Sequence, residues 1–289
     1  MTVQKCFTPS SIQEALSLLS EFGQKARVIS GGTDVLMQIK HRESMPDYLI
    51  SIGGISELDY ITFDESSGLK IGALTKVAEV ANSPVVKGKF NILAQAAGML
   101  GTPAIRNQAT LGGNFCNAAP SADTAPPLLV LGANVKIAGM KGEKVVPLEN
   151  FFVGPGQTVL EPGHLVTEIQ IPNPLPHSGG AYLKQKKRKG ADLAVVGVAA
   201  WVVKAGEILK DVRIALGAVA PTPIRAKKAE EILRGKKWND ELLEKAGQAA
   251  CGEAKPIDDV RGSADYRRKL VAVLTRRAVE EAVRLAEGN

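Results

Sequence analysis

The chain has 289 residues, 45% of them apolar and 23% charged, with a formal charge of +6. That is enough for two domains or one large one around a sizeable core, in the composition range of an ordinary soluble protein. The three cysteines, Cys6, Cys116 and Cys251, are widely separated and show no C-x-x-C spacing, which speaks against a disulfide framework and against a zinc or iron–sulfur site on this chain.

Ser11-Ile12-Gln13-Glu14 has the form of a capping box, and Ile12, Ala15, Leu16 and Leu19 recur at helical spacing up to Gly23. Residues 26–30 then read as a buried strand delivering the loop Ser30-Gly31-Gly32-Thr33-Asp34, with a short helix over 35–39. Strands are expected at 51–52 and 69–71, and helices at 77–81 and 92–100. The pair Gly53-Gly54 between them reads as an ordinary turn. A second glycine loop follows, Thr110-Leu111-Gly112-Gly113-Asn114, leading into Ala119-Pro120-Ser121-Ala122-Asp123. A helix over 125–131 comes next, for which Asp123 is a candidate N-cap.

Pro172, Pro174, Pro176 and the pair Gly179-Gly180 break both helix and strand, and mark the best boundary in the chain. Beyond it, 194–203 and 210–219 read as long strands around the turn Ala205-Gly206-Glu207. Helices are expected over 226–233, 241–251 and 264–286. The last carries the stripe Leu270, Val273, Leu274, Ala278, Ala282 and Leu285, which suits a core or subunit contact.

The two glycine loops carry the chemistry. A glycine pair turns the chain at positive φ and puts no Cβ between its N–H groups and a ligand. Successive N–H groups pointing one way form an anion site without a lysine. Two such loops, each flanked by Ser, Thr, Asp or Asn, suit a pyrophosphate gripped from both sides. Neither G-x-G-x-x-G nor G-x-x-x-x-G-K-[ST] occurs, so a Rossmann domain or P-loop is not supported.

At these residues the chain resembles the FAD-binding medium subunit of the molybdenum hydroxylases, the xanthine, carbon monoxide, nicotinate and aldehyde dehydrogenase group. Ser30 to Asp34 is similar to that family's first flavin loop, and Thr110 to Asp123 to its T-[IL]-G-G-[ND] loop with the following A-x-P-x-[SA]-D. Lys184 to Val198 matches its K-x-x-x-R-x-x-x-D-[IL]-A-x-V segment, and residues 216–226 and 259–268 resemble its C-terminal part.

The resemblance implies an α+β chain: a two-lobed FAD-binding domain of the vanillyl-alcohol-oxidase type over 1–175, then a small domain over 176–289 with an antiparallel sheet and helices. It implies noncovalent FAD held by Val28, Ile29, Ser30, Gly31, Gly32, Thr33, Asp34 and Val35, and by Leu100, Thr110, Leu111, Gly112, Gly113 and Asn114. Asp123 is expected near the adenosine end, and Lys184 and Leu193 near the isoalloxazine. Simple solvent exposure is the competing reading of Lys184, and a buried inert thiol is the reading of Cys116.

No catalytic acid, base or nucleophile is singled out, and no metal ligand is expected on this chain. The resemblance places molybdenum cofactor in a large partner subunit and [2Fe–2S] clusters in a small one, with electrons leaving the FAD to NAD or another acceptor. The rival readings are a self-contained flavin dehydrogenase and a non-catalytic assembly module of the same fold. The basic run Lys184-Gln185-Lys186-Lys187-Arg188-Lys189 has no interleaved aromatics, so nucleic acid is not the expected partner. With no apolar run long enough to span a bilayer and no leader-like start, the expectation is a cytoplasmic heteromer without membrane insertion.

Overall fold

The computed structural model describes residues 3–288 as three main sheets flanked by helices, with one two-stranded ribbon. The first lobe holds β1 (Lys5–Phe7), α1 (Ile12–Phe22), β2 (Ala26–Ile29), α2 (Val35–Lys40) and β3 (Tyr48–Ser51), with a parallel sheet in the order β1-β3-β2. The Ser11 hydroxyl accepts the Glu14 N–H at 3.2 Å and caps α1, whose Ala15, Leu16 and Leu19 are buried. The Glu14 carboxylate turns back to the Ser10 N–H, one residue before the position a capping box predicts. Strand β2 is only half-buried, contrary to the expectation for 26–30, because it is the edge strand and Val28 faces a cavity.

The second lobe runs through β4 (Ile61–Asp64), β5 (Gly68–Gly72), α3 (Val77–Asn82), α4 (Pro84–Lys89), α5 (Asn91–Met99), α6 (Pro103–Arg106), α7 (Leu111–Cys116) and α8 (Ala125–Val130). It continues with β6 (Asn134–Gly139), β7 (Gly142–Pro147), β8 (Phe152–Gly154), β9 (Gln157–Thr158) and β10 (Leu165–Ile171). Its antiparallel sheet has the order β4-β5-β10-β6-β7, packed on helices through a core that includes Phe90, Phe115 and Phe151. Full burial of each such side chain stabilises the fold by roughly 1.5–3 kcal/mol relative to exposure.

After the Pro172–Pro176 stretch come β11 (Ser178–Gln185), β12 (Val196–Ala205), β13 (Ile208–Gly217) and β14 (Ile224–Arg225), an antiparallel sheet in chain order. Helices α9 (Lys227–Leu233), α10 (Asp240–Glu253) and α11 (Ala264–Glu287) follow. Strand β12 is apolar on both faces because both are covered. Val198, Ala200 and Val202 join the core under the C-terminal helices, while Ala199, Trp201 and Val203 join the core of the second lobe. Gly179 lets α11 lie directly on β11, since a Cβ there would run into the Ala282 carbonyl and the Ala286 nitrogen. The buried face of α11 carries Val271, Leu274, Ala278, Val279, Ala282, Val283 and Ala286. It is rotated from the expected stripe, and Val273 is exposed.

Candidate functional site

A cavity of about 1010 Å3 runs along the junction of the three parts. The two glycine loops share one stretch of its wall. Ser30 Oγ and Thr110 Oγ1 are hydrogen-bonded at 2.9 Å, joining the end of β2 to the start of α7. A Cβ on Gly31 would overlap the Gln108 carbonyl, and one on Gly112 would sit 2.7 Å from the Ala73 carbonyl. These two glycines therefore let backbone pack on backbone. Gly32 is the position that needs conformational freedom, at φ +73°.

The loops are not equivalent as donors. Among the described residues, the N–H groups of Gly31, Gly32, Thr33 and Asp34 have no protein partner. Those of Leu111 to Asn114 in the second loop are spent inside the protein. Leu111 donates to the Thr75 carbonyl, Gly112 to the Ala73 carbonyl, Gly113 to Thr110 Oγ1 and Asn114 to the Thr110 carbonyl. The expectation of two matching N–H cradles is corrected: the second loop is the first turn of α7, capped by Thr110. What it offers the cavity is side-chain polarity, with Asn114 held by the Thr124 hydroxyl at 2.6 Å on its Oδ1.

Val28, Ser30, Gly31, Gly32, Thr33, Asp34, Val35, Leu100, Thr110, Gly112, Gly113, Asn114, Asp123 and Leu193 all face the cavity. Ile29, Leu111 and Lys184 do not; Leu111 is fully buried in the core of the second lobe. A second stretch of wall comes from the first lobe and β10, where Leu19, Ile52, Leu74 and Leu165 are buried in one apolar cluster. His164, an isolated histidine not among the expected site residues, lies here with a buried Nδ1 that has no partner. Only the Pro162-Gly163 turn before it hints at a loop.

The third stretch of wall is formed by Leu100, Asp123 and Leu193 with Arg188 and Arg261. Asp123 is 5% exposed. Its Oδ1 accepts the Tyr182 hydroxyl at 2.8 Å and its Oδ2 accepts Lys184 Nζ at 2.7 Å. Lys184 also donates to the Met99 carbonyl at 3.2 Å, and its side chain is 2% exposed. The solvent-exposed reading of Lys184 therefore fails, and so does the placement of Asp123 and Lys184 at opposite ends of a ligand. Asp123 is not a helix cap either, because α8 starts after Thr124 without a side-chain cap. Burial holds the Asp123 carboxyl above the usual carboxylate range, and Lys184 and Tyr182 offset only part of that push.

At the rim, the 186–192 loop is pinned by Asp192, which accepts the N–H groups of Lys187 and Arg188, and by Lys187 Nζ on the Val260 carbonyl. Arg261 is fixed by Asp259, which in turn holds the buried Arg267. Cys116 also faces the cavity, but burial pushes its thiol up to about 12, so it is a thiol and not a nucleophilic thiolate at neutral pH. Among the described residues no group of His, Cys, Asp or Glu could hold a metal ion, and no helix is long and apolar enough to cross a membrane.

Comparison with known proteins places this architecture. Residues 2–174 match the FAD binding domain in molybdopterin dehydrogenase, and residues 181–282 match the CO dehydrogenase flavoprotein C-terminal domain. The chain is 34% identical to the carbon monoxide dehydrogenase medium chain of Hydrogenophaga pseudoflava, over 95% of both chains. It is 32% identical to the xanthine dehydrogenase FAD-binding subunit of Escherichia coli O157:H7, over 97% of this chain and 96% of the other. A solved structure of the Hydrogenophaga carbon monoxide dehydrogenase superposes with a TM-score of 0.93 at 35% identity, covering 96% of each chain.

Proposed function

The chain belongs to the FAD-binding medium subunits of the molybdenum hydroxylases, and from that membership we propose that it relays electrons from [2Fe–2S] clusters on a small partner subunit, through its FAD, to NAD or another acceptor. The large partner of this assembly carries the molybdenum cofactor and the organic substrate. The observation that carries the reading is the first glycine loop. Its N–H groups are unclaimed by protein, which leaves them free for an anion, and its residues line a cavity of about 1010 Å3, roomy enough for a dinucleotide. The residues fit FAD. Gly113 leaves a gap that a Cβ would close against Ser30 Oγ and Thr110 Oγ1, both at 2.8 Å, so the backbone approaches the cavity without a side chain in the way.

When bound, the flavin supplies the redox chemistry; the protein supplies position and field. Gly31, Gly32, Thr33 and Asp34 would hold the pyrophosphate through their free N–H groups, with Ser30, Thr110 and Asn114 offering polar side chains from the neighbouring wall. The apolar wall of Leu19, Ile52, Leu74 and Leu165 would take the adenosine half. Leu100, Asp123 and Leu193 would hold the isoalloxazine, in the stretch whose rim is exposed, with Leu193 48% and Met99 40% exposed. No protein nucleophile or acid–base pair is needed for this task. On this reading the two domains divide at residue 175.

The purified chain is expected to be yellow, with a flavin absorption band, and to release all of its FAD into the supernatant on acid precipitation. A colourless protein after incubation with FAD would overturn the reading, and flavin retained on the precipitate would overturn its noncovalent part.

A further inference from the structure

A second cleft, of about 580 Å3, lies where the FAD-binding domain meets the C-terminal one, and none of its lining residues belongs to the first cavity. The end of α4 and the start of α5 form one side, Pro174 to Pro176 and the start of β11 the next, and the last turn of α11 the third. Trp201 and Ile92, 8% and 1% exposed, make an apolar floor packed over Gly180, where a Cβ would run into the indole ring. Leu175 stands in the proline wall and is 52% exposed. The prolines on either side of it are fixed in φ, so this wall is formed before anything binds.

Two observations say what would enter. The lining carries Lys87, Lys89 and Arg284 and, among the described residues, no Asp or Glu. Lys89 and Arg284 are paired with Glu65 and Glu281 outside the lining, but Lys87 Nζ has only the neutral Asn82 Oδ1, at 3.2 Å, so the mouth is net positive. Arg284, in the last turn of α11, also offsets the negative end of that helix. The second observation is the indole N–H of Trp201. Among the described residues it makes no hydrogen bond to the protein, and its nitrogen is not sealed in the core. A largely buried tryptophan normally finds an acceptor for this group, so it is open to one on a ligand.

We infer that this cleft is a second ligand site, for a small organic acid with a flat apolar body. The body lies against Trp201, Ile92 and the proline wall, and Lys87 holds the carboxylate at the mouth. The concave shape suits a small molecule better than a protein face, since a volume of about 580 Å3 falls among ligand pockets of roughly 300–1,000 Å3. With walls from both sides of the Pro172–Pro176 stretch, a bound acid ties the two domains together and should raise the melting temperature.

The test titrates the full chain, in excess FAD, with naphthoate and with its neutral counterpart naphthamide. The readout is the NMR resonance of each indole N–H; the chain has two tryptophans, and Trp238→Phe assigns them. Naphthoate should shift the Trp201 resonance saturably and leave that of Trp238 in place. Naphthamide should bind about threefold more weakly or worse, the scale of one partly exposed ion pair. Lys87→Gln should weaken naphthoate by the same factor and leave naphthamide unchanged, whereas Leu175→Ser should weaken both by removing apolar wall. Both residues are exposed, so the fold and the flavin content should stay as in the wild type. An unmoved Trp201 resonance at millimolar naphthoate would overturn the proposal. Equal affinity for the two probes would overturn it too, as would wild-type naphthoate binding in either variant. The flavin reading is not at stake in this experiment, because Trp201 reports on the cleft directly.

Discussion

Gly31 has no room for even a methyl group, because its Cβ would meet the Gln108 carbonyl and the Ala109 Cα at the crossing of the two loops. Gly31→Ala is therefore expected to lower the stability of the FAD-free protein by about 2 kcal/mol or more, as overpacking against backbone does. Urea denaturation measures it, and an unchanged midpoint would show that the loops do not touch. Gly113→Val is expected to act differently. Its neighbours are two hydroxyls that can rotate, so the fold is kept while the side chain invades the cavity and FAD occupancy falls. A variant purified with full flavin would contradict this.

Asp259 offers a pH-dependent case. Against the upward push of partial burial, the Arg261 N–H and the Arg267 guanidinium hold its carboxyl at about 2, below the unfolded value of 3.8. A depressed pKa contributes stability that is complete above 3.8 and lost as pH falls through 2. Asp259→Asn should cost about 1–3 kcal/mol at pH 7, where it leaves the buried Arg267 without its carboxylate. The gap to wild type should close on acidification from pH 4 to 2 in parallel melts. A constant gap would assign the cost to packing.

Among the elements, α7 shows how a short helix organises a site. It has six residues, two of them glycine, and would not persist alone. Thr110 holds it by capping the Gly113 N–H and by bonding Ser30 across the cavity wall. Thr110→Ala should cost about 1–2 kcal/mol and weaken FAD, and Thr110→Ser should restore most of both. Thermal melts with and without FAD separate the two effects. This helix also marks where reading the sequence stops working. Gly112-Gly113 looks like a loop because glycine disfavours helix, yet tertiary contacts to Ala73 and Thr75 impose the helical turn.

The same limit hides β6 to β10, which the sequence reading did not place at all. Strands such as β7 are mostly exposed and carry no strong alternation, so their pairing is set by neighbours distant in sequence. The long periodic elements were legible: α1, α10, α11, β12 and β13 fall within a few residues of expectation. Of the candidate site, the residues on the glycine loops could be named from local chemistry. The Asp123–Lys184 pair could not, since its members are 61 positions apart and meet only through the packing of β11.

On the scale of the whole molecule, the proposed relay makes the chain one station in a longer circuit. Alone it should show at most transfer from NADH to artificial acceptors. Oxidation of an organic substrate should appear only when iron–sulfur and molybdenum subunits are added, and turnover by the single chain at the rate of the complex would refute the relay. The rim residues Lys186, Lys187, Arg188, Lys189 and Arg261 put positive charge beside the open wall of the cavity. Assembly followed by sedimentation should therefore weaken as salt is raised, because exposed charge is screened beyond about 8 Å at physiological ionic strength. Neutral variants of Lys187 and Lys189 should lose that salt dependence. The buried bond between Asp123 and Lys184 has a further consequence in time. During synthesis the N-terminal lobes emerge first, with the glycine loops complete and one wall of the cleft still missing. Asp123 has no counter-ion until β11 leaves the ribosome and docks. A nascent chain therefore has no finished berth for flavin, and loading is expected to wait until β11, well past the midpoint of the polypeptide, has emerged.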